Sequence, residues 1–338
     1  VSVEKETPRG KKNFLQKILG AIDRFQQKHR VLAYPYALVK KYGDDEAGYQ
    51  AALITYYGFL SLFPLLIVAV SVIDLVSQHN PELRDKLLHS INNYLPIVGN
   101  QIQSSVHGSG KSGIALVIGL LITLWGAKGV ADAVQHAMNL IWQVPRPKRA
   151  GFPKAPLKSL ALILGAGIGL VGAALLSGIA TSVGHSLIFK LLPSLLSVLV
   201  LFGLFTFVFM FAVSGKKPFK DVLAGAIVAA IGFQILQTVG GYLITHQLHN
   251  LSGAYGQFGL VLAILFWLYL QAQVLLYAAE VNTVHALELW PRSLTQDPLT
   301  RADRHALRLY AEKEAYHSEP KEEVDVKFND EDTSQNAK

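Results

Sequence analysis

Long apolar runs alternate along the chain with short polar and charged intervals, and the run lengths decide the reading. A helix needs roughly 20 apolar residues to cross a bilayer. Six runs reach that length: Ala51 to Ile73, Gly113 to about Val134 with its helix continuing to Trp142, Leu157 to Ala180, Ser194 to Val213, Val222 to Ile244, and Phe258 to about Ala279, extending to Val284. Pro81, Pro96, Pro145, Pro147, Pro153, Pro193, Pro218 and Pro291 fall outside these runs, as helix breakers should. Pro64 lies midway along the first and predicts a kink there, a candidate hinge.

The pattern predicts an all-α membrane protein with six transmembrane helices, an amphipathic N-terminal helix and a disordered C-terminal tail. Its divisions are a disordered basic start at 1–13, a cytoplasmic amphipathic segment at 14–50, the membrane domain at 51–284, a juxtamembrane segment at 285–310, and an acidic tail at 311–338. Phe14, Ile18, Ala21, Ile22 and Phe25 recur at helical spacing among Lys17, Arg24, Lys28 and Arg30. That spacing suits a helix lying on an anionic leaflet or one docked on the bundle. Between the first two runs, Leu83, Leu87, Leu88 and Ile91 fit one face of a surface helix or cap. The polar start has no apolar run behind it, so the expectation is that no cleavable signal is present and the first span directs insertion.

Composition agrees. Residues of the AVILMFWYC class make up 51% and charged residues 16%, the latter well below the roughly 25% of a soluble chain. Mean hydropathy is +0.32 even with polar ends included. The net charge of +7 first suggests nucleic acid, but lysine and arginine are distributed by topology. Summed over alternate intervals, 26 lie on one side of the spans and 4 on the other, which puts both termini in the cytoplasm. A nucleic-acid partner is therefore not needed to explain the charge.

Small residues supply the expected helix packing. Ala161, Gly165, Gly169, Ala173 and Ser177 recur every four residues and form one smooth ridge on the third span. Its partner is another helix of the same chain or a second copy, so a homo-oligomer stays open.

Candidate chemistry lies in polar groups inside the spans. Lys128 and Asp132 stand one turn apart in the second, Gln273 and Glu280 share a face of the sixth with Tyr277, and Tyr56 opens the first. Ionisable groups at membrane depth are costly and default to functional hypotheses. Two readings compete: the groups only fasten helices, or they line an inward-facing cavity for a polar or anionic substrate, with Lys128 meeting its charge. Catalytic signatures are missing from the sequence. Cysteine is absent, His246 and His249 lack a neighbouring carboxylate, and Gly165, Gly167 and Gly169 lie where no nucleotide could be cradled. The expectation is no enzyme, no metal and no cofactor.

The segment Ala51-Ala52-Leu53-Ile54-Thr55-Tyr56-Tyr57, followed by Leu60-Ser61-Leu62-Phe63-Pro64-Leu65-Leu66, resembles a signature of the YihY/BrkB family of bacterial inner-membrane proteins. Trp125-Gly126-Ala127-Lys128-Gly129 is similar to that family's mid-protein motif. Tyr255-Gly256, Trp267-Leu268-Tyr269 and Ala279-Glu280-Val281-Asn282 are similar to its C-terminal one. The resemblance spans roughly Tyr34 to Leu287; in length and long ends the chain is similar to the YhjD branch. It implies a six-span protein of the bacterial inner membrane, of a family once mislabelled ribonuclease BN, with serum resistance in one branch and envelope lipid export in the YhjD branch. A transporter or lipid translocator is therefore expected, with membrane lipids as partners and a small molecule or lipid as substrate. An envelope scaffold is the alternative, and a nuclease finds no support in the residues.

Overall fold

The computed structural model describes residues 9–77, 113–182, 187–295, 298–317 and 323–328; the expected cap between the first two runs lies outside them. The helices are α1 (Arg9–Lys28), α2 (Arg30–Asp44), α3 (Ala47–Ser77), α4 (Gly113–Ile141), α5 (Lys154–Ser182), α6 (Leu187–Ala212), α7 (Phe219–Ala286) and α8 (Arg301–Lys313). All described regular structure is helical. Among the described residues, three stretches are long and apolar enough to cross a membrane by length and composition: Leu195–Ala212, Phe219–Gln237 and Val261–Ala286.

The last two of these both lie within α7, whose helical residues also take in the loop expected at Thr245–Gln257. No proline interrupts it. Yet the Gly225 amide donates to Asn282 Oδ1 at 2.6 Å, 57 positions along. In a straight helix those residues would stand roughly 85 Å apart at 1.5 Å per residue. Gly232 also meets Val274, and Gly240 meets the Trp267 ring. The chain therefore reverses between Gly240 and Trp267, and α7 is two antiparallel arms. With α3 to α6 they make six long rods.

Helices pair through small residues. Gly126 and Gly129 of α4 lie against Ser61 and Tyr57 of α3. In the ridge of α5, Gly165 lies against Phe207 and Gly169 against Leu204, so that face meets α6 of the same chain. Ala161 beside them is half-buried, while the side chains of Ala173 and Ser177 fall outside those described. α3 keeps its helical backbone through Pro64. Pro193, expected before the fourth rod, falls inside α6 as its seventh residue, past the first turn, where proline removes one backbone hydrogen bond.

The N-terminal region divides in two at His29. α2 docks on α7, burying Ala33, Ala37 and Lys41. α1 is turned the other way: Asp23 and Gln26 are buried, while Ile18, Ile22 and Phe25 face outward. The acidic tail also departs from expectation in its described part. α8 continues to Lys313, Arg146 binds Glu314 and Tyr316, and Phe328 lies near Arg304 and Arg308. Charge pairing and cation–π contact hold it where apolar periodicity gave no sign.

The fully buried apolar residues gather toward one end of the rods: Ala137, Met138 and Ile141 of α4, Phe209 and Ala212 of α6, Leu276 and Ala279 of α7. Elsewhere large apolar side chains such as Leu121, Ile168 and Leu199 point outward, as in a protein whose outer solvent is lipid. The intervals that carry most of the lysine and arginine meet at that same end. Gln143 reaches Asp45, the Ser214 amide donates to Asn139, and Lys158 donates to the Val213 carbonyl.

A methyl group at Gly225 would run into the Ala278 carbonyl and the Asn282 side chain. Gly225→Ala should therefore lower the melting temperature in detergent, costing at least about 1–3 kcal/mol. Gly203→Ala, with nothing within 4 Å of the new carbon, should be neutral or stabilising by about 0.5–1 kcal/mol.

Candidate functional site

Two polar clusters stand on this frame. The first centres on Lys41, whose side chain is fully enclosed. Its Nζ donates to Asp45 Oδ2 at 2.5 Å, to Glu280 Oε2 at 2.7 Å and to the Ile141 carbonyl at 2.8 Å. An ammonium has three protons, and all three are used. Asp45 Oδ1 accepts from Gln143 at 2.6 Å and from Lys313 at 3.4 Å, and Thr283 adds a hydroxyl to Glu280. Burial alone would pull the Lys41 ammonium down, but Glu280 and Asp45 outweigh it and hold it above the ordinary lysine range. The cluster ties α2 and the turn that follows it, the end of α4, the second arm of α7 and the end of α8.

A second set of charges flanks it. Arg292 donates to Asp303 at 2.6 Å and to Asp44 at 2.9 Å, and Lys40 donates to Asp303 at 3.0 Å. Thr300 and Asp303 form a reciprocal cap at the start of α8. Burial works against the Asp303 carboxylate, but the Ser293 amide, Thr300, Arg292 and Lys40 hold it at about 2. Asp23 from α1 accepts the Leu294 amide and the Ser293 hydroxyl, which is why that helix docks by its polar face.

The other cluster lies on α4. Lys128 donates to Asp132 at 2.5 Å, and their side chains are 51% and 44% exposed. Asp132 also accepts from the Ser159 hydroxyl of α5, which in turn accepts from Gln135 at 2.7 Å. α4 packs mainly on α3 and α5 mainly on α6, so this polar group sits where two helix pairs meet. Its neighbours Leu121, Leu124 and Trp125 are exposed and apolar. A half-open ion pair thus stands on an otherwise greasy wall.

Residues 38–301 match the protein family described as Virulence factor BrkB. The chain belongs to this family. It is 24% identical over 262 residues to the ribonuclease-like protein YfkH of Bacillus subtilis, covering 73% of this chain and 93% of that one. It is 21% identical over 276 residues to the inner membrane protein YhjD of Escherichia coli, covering 75% and 81%. It is 25% identical over 271 residues to the UPF0761 membrane protein VV0203 of Vibrio vulnificus, covering 76% and 83%. No solved structure matches it. As a BrkB-family chain it is a membrane protein.

Within this BrkB-family fold the five expected cavity residues do not share one surface. Lys128 and Asp132 are together and half-open. Glu280 is enclosed at the Lys41 cluster, so it meets a lysine rather than cargo. Gln273 is half-buried beside Tyr42, which stacks on Tyr277 at 4.0 Å. Tyr56 points outward beside Tyr57. Lys41, Asp45, Arg292 and Asp303 went unread because they lie in charged intervals, where lysine and arginine had been counted as topology. Glu280 was the one visible signal: a carboxylate at the end of an apolar run needs a cation. Among the described residues, no three of His, Asp and Glu stand close enough to hold a metal.

Removing one partner of a buried ion set typically costs about 3–5 kcal/mol, because the charges left behind are uncompensated. Lys41→Met should accordingly abolish monodisperse folded yield, and Lys41→Met with Glu280→Leu should recover part of it; a fully stable Lys41→Met would refute the role. Asp303 is held below its ordinary value, so its contribution is complete above about pH 4 and is lost as pH falls toward 2. Pepsin cleavage within α8 should rise over that window, and Asp303→Asn should be cleaved across the whole range.

Proposed function

We propose that this BrkB-family protein is a six-span translocator of the bacterial inner membrane, with both termini cytoplasmic, moving an anionic or lipid-linked envelope substrate. The observation that carries the reading is the half-exposed Lys128–Asp132 pair on an apolar helix wall. Facing hydrocarbon, such a pair costs several kcal/mol; facing water or an anionic headgroup, it is at home. Ser159 and Gln135 extend the polar strip from α4 to α5. Lys128 would meet the substrate's charge, and Asp132 would hold that ammonium when the site is empty.

Support for the placement comes from three sources. The name of the Escherichia coli relative says inner membrane protein. The cationic intervals are gathered at one end of the rods, as the positive-inside rule requires of a cytoplasmic face. α1 turns Ile18, Ile22 and Phe25 outward beside exposed Arg24 and Lys28, a face suited to an anionic leaflet. In this reading the enclosed Lys41 cluster is the rigid base, and Pro64 is the hinge by which α3 moves against α4. An envelope scaffold is the second reading, and that same rigid cluster favours it, because a scaffold needs no moving part.

The two separate in proteoliposomes. The wild-type protein should carry fluorescent anionic phospholipid across the bilayer, and Lys128→Ala should slow it at least about tenfold, near 1.4 kcal/mol, with unchanged folded yield. Transfer that is equally fast in Lys128→Ala would remove this site from the mechanism; no transfer by the wild type would leave the scaffold.

A further inference from the structure

A feature of the base of the bundle is unused by either reading. Between the end of α7 and α8 lies a half-open cavity of about 940 Å³. Arg301, Arg304, His305 and Arg308 all line it. They occupy positions i, i+3, i+4 and i+7 of α8, which places them on one helical face. The opposite face of α8 is spent on docking, with Asp303 and Ala306 buried. Among the described residues lining the cavity, Glu288 is the one carboxylate, with Trp290 and Pro291 forming apolar wall.

Like charges three and four residues apart repel one another. A stripe of that kind around a concavity is stabilised by an anion, and guanidinium groups match phosphate oxygens two at a time. Seven residues of helix cover roughly 10 Å, so a ligand touching Arg301 and Arg308 together must present charge at more than one point. Arg301 also stands in the first turn of α8, where the helix dipole favours negative charge.

The chain itself points to the same chemistry. Residues 323–328 return to this place, and the Phe328 ring lies 5.8 Å from the Arg304 guanidinium and 5.5 Å from that of Arg308. Glu323 and Asp325 accompany it, in a tail with nine acidic residues beyond Ala311. The tail sets a cation-binding ring beside two of the arginines, while Asp325 pairs with Lys327.

We infer that this cavity binds a phosphate-bearing polyanion, a diphosphate or a phosphorylated headgroup, and that the C-terminal tail competes with it for Arg304 and Arg308. The site is independent of Lys128, so translocation and this binding can fail separately.

The test uses the full chain in nanodiscs. In phosphatidylcholine discs, titration calorimetry with inorganic pyrophosphate reads a soluble source. In discs containing phosphatidylglycerol, native mass spectrometry of retained lipid reads a headgroup source. Arg301→Gln with Arg308→Gln, both exposed and outside the docking face, should weaken whichever ligand binds at least about tenfold, near 1.4 kcal/mol. Phe328→Ala should tighten it. Pyrophosphate binding lost in the double variant assigns a soluble phosphate, and retained phosphatidylglycerol lost in the double variant assigns a lipid. Binding of neither probe, or undiminished binding by the double variant, overturns the site. An unchanged affinity in Phe328→Ala overturns the competition.

Discussion

A buried ammonium must be surrounded by acceptors on three sides, and at Lys41 those acceptors come from three distant parts of the chain: Asp45, Ile141 and Glu280. Nothing else about the base of the bundle is independent of that demand. α2 can approach α7 because Ala33 and Ala37 keep its inner face thin. α4 ends at Ile141, and the terminal carbonyl it leaves over is the third acceptor. Asp45 draws in Gln143 and Lys313 because one lysine cannot neutralise two carboxylates. Such clusters contribute less to raw stability than to uniqueness, because misplacing any member strands the others without a counter-charge.

The polar groups within the apolar rods thus fall into two kinds. Glu280 is enclosed, and its Oε2 accepts from lysine and threonine inside the fold. Lys128 is held by a single carboxylate one turn away and keeps half its surface open. Both were costly to place in an apolar run; the difference is what each meets. The enclosed group joins helices, and the open one keeps about half of its side-chain surface outside the protein.

Much of the frame was legible in the sequence because a membrane leaves few solutions for a backbone. The apolar runs fall on long helices, three stretches of which among the described residues are long and apolar enough to cross a membrane, and Gly165 and Gly169 of the α5 ridge lie against α6. What periodicity could not reveal was long-range pairing. Lys41 and Glu280 are 239 positions apart, and within its own segment Lys41 is one more cation in a basic stretch. The reversal of α7 illustrates the opposite failure. A polar interval without proline reads as a loop by hydropathy, and here its residues are counted in helix on either side of a reversal that the Gly225–Asn282 contact requires.

The contact between α2 and the region around α8 carries a consequence of parity. Arg292 and Tyr310 both bind Asp44, so the chain that leaves this place at Ala47 has come back to it by Ala286. The rods between them therefore begin and end at one face of the bundle. Adding or deleting a single rod would part Asp44 from Arg292 by the length of a helix, a change this fold cannot absorb.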